Sequence, residues 1–120
     1  MRYMILIGHD EKGVKTFSPE EHQALFTAYQ KYEVELKRAG VLLGGEPLQS
    51  TEGAVRITTV GGKRKLVDGP FSESKEIIGG YVLLEVKSRE EAIEWASRCP
   101  AAQLDAWSYV ELREIQELPR

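Results

Sequence analysis

The chain has 120 residues, one cysteine, and 16 basic against 19 acidic side chains, for a net charge of −3. That length suits one domain with one core, so residues 1–120 are read as a single unit. A net-negative chain lacks the cationic face that displaces counterions from phosphates, which excludes nucleic acid as an expected partner. No run approaches the roughly 20 apolar residues of a membrane helix, so no membrane contact is expected either. The opening reads straight into a strand rather than a signal peptide. One thiol cannot form an internal disulfide, and the expected compartment is a reducing cytoplasm.

In chain order, residues 2–8 form the first strand. Tyr3, Ile5 and Ile7 point one way and Met4 and Leu6 the other, which marks a central strand apolar on both faces. A polar loop follows. Ser18, Pro19 and Glu21 then give a complete helix start: N-cap, first-turn proline and capping box. Leu25, Tyr29, Tyr32 and Leu36 recur at helical spacing, and Gly40 stops the helix. The same stripe projected backwards includes His22, where the helix dipole disfavours the protonated imidazole. A histidine there either serves a site or simply fills space and bonds a carbonyl.

Residues 41–46 read as the second strand, ended by Pro47. Residues 54–60 and 63–67 flank Gly61-Gly62, a hairpin signal of the primed-turn type. Residues 81–86 form the next strand. Ser88-Arg-Glu-Glu91 is a second capping box, opening a helix with Ala92, Trp95, Ala96 and Cys99 on one face and ending at Pro100. Residues 101–106 read as loop and 107–115 as the last strand, with a loosely held tail from residue 116.

The order β-α-β-(hairpin)-β-α-β, with right-handed crossovers, gives an α+β, ferredoxin-like sandwich with both helices on one face of the sheet. The other face has no cover within the chain, yet strands carry apolar side chains there. Burying each is worth about 1.5–3 kcal/mol, against about 0–1 kcal/mol for a surface salt bridge. A homodimer through the sheet face is therefore expected.

Functional groups concentrate in residues 66–80, Leu-Val-Asp-Gly-Pro-Phe-Ser-Glu-Ser-Lys-Glu-Ile-Ile-Gly-Gly. Asp68 opens a turn that Gly69-Pro70 fixes, and it acts either as a backbone cap or as a carboxylate held rigidly toward a cleft. In the second reading Phe71 supplies an apolar wall beside it. Residues 67–76 with Gly79-Gly80-Tyr81 resemble the signature of the DGPF-type branch of the YCII-related family. Residues 1–7, 39–46 and 109–113 are similar to it as well. The resemblance implies a ferredoxin-like fold paired as a dimeric α+β barrel, largely unassigned chemistry, and kinship with accessory domains found near transcription regulators. It also implies a pairing of a histidine early in the first helix with an aspartate before the proline that closes the second. His22 matches the first position, whereas Cys99 stands at the second.

No cofactor is expected, because no nucleophile elbow, phosphate loop or dinucleotide fingerprint occurs. No structural zinc pattern occurs, and a metal site from His9, His22 and acids is a minor alternative. A nucleophilic Cys99 is another, since a thiol on an inner helix face is more often inert. Acid–base chemistry remains, with Asp68 and His22 as the candidate catalytic pair. Glu46, Phe71, Glu73, Lys75 and Arg113 are candidate ligand-binding residues, although Glu111 and Arg113 also suit a surface pair. The two functional expectations are an unidentified small-molecule-binding protein with a cleft at the 68–71 loop, and a cofactor-free isomerase- or lyase-like enzyme.

Overall fold

The computed structural model describes residues 1–10, 13, 16–69, 77–104 and 108–119. Among them run β1 (Arg2–His9), α1 (Pro19–Arg38), β2 (Leu42–Pro47), a 3-10 turn (Thr51–Gly53), β3 (Val55–Val60) and β4 (Lys63–Asp68). Then follow β5 (Ile77–Glu85), α2 (Arg89–Arg98), α3 (Pro100–Gln103) and β6 (Ser108–Glu114). Four strands form an antiparallel sheet in the order β2-β5-β1-β6, and β3-β4 form a separate pair. This is the ferredoxin-like α+β sandwich expected from the element order, with the hairpin inserted between β2 and β5.

The core lies between sheet and helices. Tyr3 and Ile5 of β1 and Leu84 of β5 meet Tyr32 and Leu36 of α1, Ala92 and Ala96 of α2, and Cys99. Ile7, Val82, Val110 and Leu112 extend the same sheet face toward the helices. Ile5, Leu36 and Leu84 are wholly buried, worth about 1.5–3 kcal/mol each.

Local chemistry sets the helix ends. Ser18 Oγ accepts from the Glu21 amide at 3.1 Å, and the Glu21 carboxylate accepts from the Ser18 amide at 3.2 Å, which completes the expected box. At the other end Gly40 N–H donates to Lys37 O and Val41 N–H to Leu36 O, the Schellman pattern, with Gly40 at φ 70°. The second box is half formed: Ser88 Oγ accepts from the Glu91 amide, but the Glu91 carboxylate accepts from Lys87 N–H.

Three further details differ from the sequence reading. β5 begins at Ile77, and its pairing with β1 shifts register between Ile7 and Gly8. Pro100 opens a short helix rather than a loop, because proline suits a first helical position as well as a stop. The tail is tied at its start: Ile115 N–H donates to Arg2 O, and Arg2 forms a bidentate pair with Glu117 at 2.8 Å.

The β3-β4 hairpin stands apart as an arm. Its turn is Gly61-Gly62, both at positive φ (57° and 79°), as the primed turn requires. Every arm residue is exposed. The radius of gyration is 16.4 Å, where about 14 Å is usual for this length. The molecule measures 48 × 47 × 20 Å. Its thin axis holds a sheet and one helix layer, so the arm extends in the plane and does not form a third layer.

Candidate functional site

Register brings the chemistry-bearing segments to one end of the sheet. His9, the last residue of β1, stands opposite Ile77 at the start of β5 and Ser108 at the start of β6. Pro47 at the end of β2 stands opposite Gly80, and Leu48 N–H donates to Gly79 O at 2.8 Å. The connections from this end are residues 10–18 into α1, 48–54 into the arm, 69–76 out of the arm, and 104–107 into β6. The first turn of α1 with His22, and the root of the arm with Asp68, therefore attach to the same end.

His9 continues the alternation of Tyr3, Ile5 and Ile7, which places it on the helix side. It is half-buried. Its ring lies against the backbone of Gly79: a Cβ built there would sit 2.7 Å from Nδ1. Glycine in the bulged start of β5 thus makes room for an imidazole. Gly8 plays the same part on the opposite face, where an added Cβ would run into the ring of Tyr109 across from it on β6. Ser108 Oγ donates to Ala101 O at 2.7 Å and ties β6 to α3 at this end. Sequence reasoning weighed His9 only as a metal ligand. Continuing the odd-residue face of β1 by one step would have found it.

The expected site residues divide between locations. His22 is exposed in the first turn of α1 and meets the ring of Phe17 edge-on, centroids 5.5 Å apart at 64°. Asp68 is exposed at the root of the arm, opposite Val55. The next residue anchors that root: Gly69 N–H donates to Ala54 O at 2.7 Å. Among the described residues no hydrogen bond joins Asp68 to His22. Phe71, Glu73 and Lys75 lie outside the described residues.

Glu46 and Arg113 fall on the side of the sheet away from the helices. Glu46 pairs with Tyr81, Tyr81 with Leu6, and Leu6 with Glu111; one rung along, Met4 pairs with Leu83 and Arg113. Directly opposed residues of antiparallel strands share a face, so register separates these two from a cleft under the helices. Both are exposed. Arg113 approaches Glu111 at 4.0 Å, the surface pair weighed as its alternative role.

Cys99 is wholly buried, and its thiol donates to Tyr29 Oη at 3.9 Å. Burial pushes the thiol above its ordinary value of 9.0, which leaves it protonated at neutral pH and removes the thiolate a nucleophile needs. Burial raises the Tyr29 and Tyr32 phenols as well, and Tyr32 Oη donates to Trp95 O at 2.7 Å. This cluster is packing. Among the described residues no three His, Cys, Asp or Glu side chains gather to hold a cation, and no helix is long and apolar enough to cross a membrane.

Known proteins bear on this geometry. The family model for the YCII-related domain matches residues 1–116. An uncharacterized protein of Rhizobium meliloti (strain 1021) is 28% identical over 109 residues, covering 91% of this chain and 88% of its own. Among solved structures, the 5-chloro-2-hydroxyhydroquinone dehydrochlorinase of Burkholderia phenoliruptrix AC1100, in complex with 2,5-dihydroxybenzoquinone, aligns with a TM-score of 0.51. That alignment has 14% identity and covers 97% of this chain and 94% of the dehydrochlorinase, so the likeness is one of fold. With nearly the whole length matched, the chain belongs to the YCII-related family.

Proposed function

We propose that this chain is a cytoplasmic small-molecule-binding protein whose site lies on the helix side of the sheet, at the loop-bearing end. The observation that carries the reading is His9: a half-buried imidazole seated on Gly79, at the sheet end where β1 stops and β5 and β6 begin. A polar ring at the edge of an apolar sheet face suits a small hydroxylated or carboxylated ligand. Asp68, which lies in the 67–76 stretch that resembles the DGPF signature, ends β4 and ties the reading to the root of the arm. The dihydroxybenzoquinone held by the similarly folded dehydrochlorinase supports a ligand of this size and polarity.

A second reading is cofactor-free acid–base catalysis, isomerase- or lyase-like, with Asp68 and His22. It is favoured by the shared end of the sheet and by the neighbour's being a dehydrochlorinase. Catalysis needs the two groups within hydrogen-bond reach of one substrate, whereas binding at His9 does not.

The test is a panel of dihydroxybenzoquinones, hydroxyquinols and small carboxylic acids, followed through the His9 and His22 imidazole proton resonances. A saturable shift at His9 in the parent chain is the expected result, with affinity weakened about tenfold (~1.4 kcal/mol) in Gly79→Ala and, followed there through the Gly79 amide, in His9→Gln. Saturation untouched by either substitution contradicts the binding site. Turnover abolished by Asp68→Asn and His22→Gln would establish the second reading.

A further inference from the structure

The cover over the helix side of the sheet thins toward the His9 end on three elements at once. Along α1, Leu36 and Tyr32 are buried, while Tyr29 and Leu25, nearer its start, are half-buried. Along β1, Tyr3 and Ile5 are buried and Ile7 and His9 half-buried. On β5, Val86 and Leu84 are buried and Val82 half-buried. Sheet and α1 therefore part toward that end, and the space between them is a wedge floored by the apolar Ile7 and Val110.

Tyr29 stands at the inner side of this wedge. Its hydroxyl accepts from the Cys99 thiol at 3.9 Å and from the Ala101 amide. Ala101 O in turn accepts from Ser108, the residue directly opposite His9. The Tyr29 ring is thus strung from α1 to α3 behind His9, with its oxygen turned into the helix layer and its carbons packed with the sheet residues. Among the described residues no buried side-chain nitrogen or oxygen lacks a hydrogen-bond partner. No such group waits inside the wedge for a polar atom of a ligand, whereas the rim carries the His9 imidazole.

We propose that the site takes a ligand polar at one edge only, its apolar body seated against Ile7, Val110 and the Tyr29 ring and its hydroxyl or carboxylate held at the His9 rim. The inference rests on the His9 site proposed above and adds to it an orientation and a selectivity. A polar group carried to the inner end gives up water and gains no partner there, which disfavours such a ligand by about tenfold or more.

Matched ligands of equal size test it: 4-methylbenzoate against 4-hydroxybenzoate, and 4-methylcatechol against 1,2,4-trihydroxybenzene, titrated into the full chain and followed at His9 and at the Ile7 and Val110 methyl groups. The methyl member of each pair should bind about tenfold tighter and move both sets of resonances. Val110→Thr, which adds a hydroxyl at nearly constant volume, should narrow that preference, and Tyr29→Phe, which keeps the ring, should preserve it. Equal affinities within both pairs, with His9 shifted by every ligand, would leave the site standing and overturn the orientation. A Tyr29→Phe chain that loses affinity for the hydroxyl members alone would also overturn it, because the phenol would then serve the ligand. No shift at His9 with any of the four would remove the site itself, and the orientation with it.

Discussion

The two faces of the four-stranded sheet start from similar sequence and end in different environments. On β1, Tyr3, Ile5 and Ile7 alternate with Met4 and Leu6, and neither set is polar. Tyr3 and Ile5 are buried under the helices, whereas Met4 and Leu6 lie half-buried on the face that no described element covers. The arm extends the contrast: Ile5 is wholly buried and Ile57, also in a strand, is 64% exposed. Alternation therefore specifies strands but not what lies over them. Here the covered face carries the core and the His9 end, and the other face carries the apolar strip of Met4, Leu6, Tyr81 and Leu83.

The sharpest way to break this comparison is to truncate one side chain on each face. Ile5→Ala should cost about 2–5 kcal/mol in denaturant unfolding, because the cavity it leaves is enclosed. Leu6→Ala should cost clearly less at dilutions where the chain is monomeric and should mainly weaken self-association. Equal losses would show that both faces are covered within one chain.

Alkali probes the covered face alone. Burial raises Cys99, Tyr29 and Tyr32 above their ordinary values of 9.0 and 10.0. A group with a raised folded pKa binds its proton more tightly in the native state, so its stabilising effect is complete below the ordinary value and is lost as pH rises through the folded one. The urea midpoint should thus fall above pH 9.0, the ordinary value of the thiol. Cys99→Ala should flatten the early part of that fall. A midpoint independent of pH in this range would contradict the burial of these groups.

Ser18→Ala should cost about 0.5–2 kcal/mol, the usual loss for a cap. It would also fray the turn that carries His22, which faster amide exchange over residues 20–23 would reveal. The smallest effect belongs to Arg113→Ala. Its approach to Glu111 at 4.0 Å is exposed on both sides, so monomer stability should change by about 0.5 kcal/mol or less.

Most of the architecture was legible because its signals are local. The Ser18-x-x-Glu21 box, the Gly61-Gly62 turn and the alternation in β1 each act within a few residues, and each has the expected structural outcome. Site geometry was less legible because bulges decide it. Glu46 is four residues after the helix-facing Leu42, so regular alternation would place it under the helices. The register shift between Leu42 and Gly44 inserts one residue and turns it to the other face. The early start of β5 arises similarly, from irregular pairing around Gly79 that a Gly-Gly pair permits but does not dictate. The seat of His9 is not legible in the sequence because its partner, Gly79, lies 70 residues away in the chain and has no side chain to announce the contact.

One measurement tests the division between the two faces most directly: amide and imidazole chemical shifts of the intact chain, followed first on dilution and then on titration with a hydroxylated quinone. Dilution should move the rungs through Leu6 and Tyr81, and the titration should move His9, Gly79 and the start of α1. If the quinone instead moves only the open-face rungs, or dilution leaves those rungs unmoved, the assignment of ligand to one face and partner to the other is wrong.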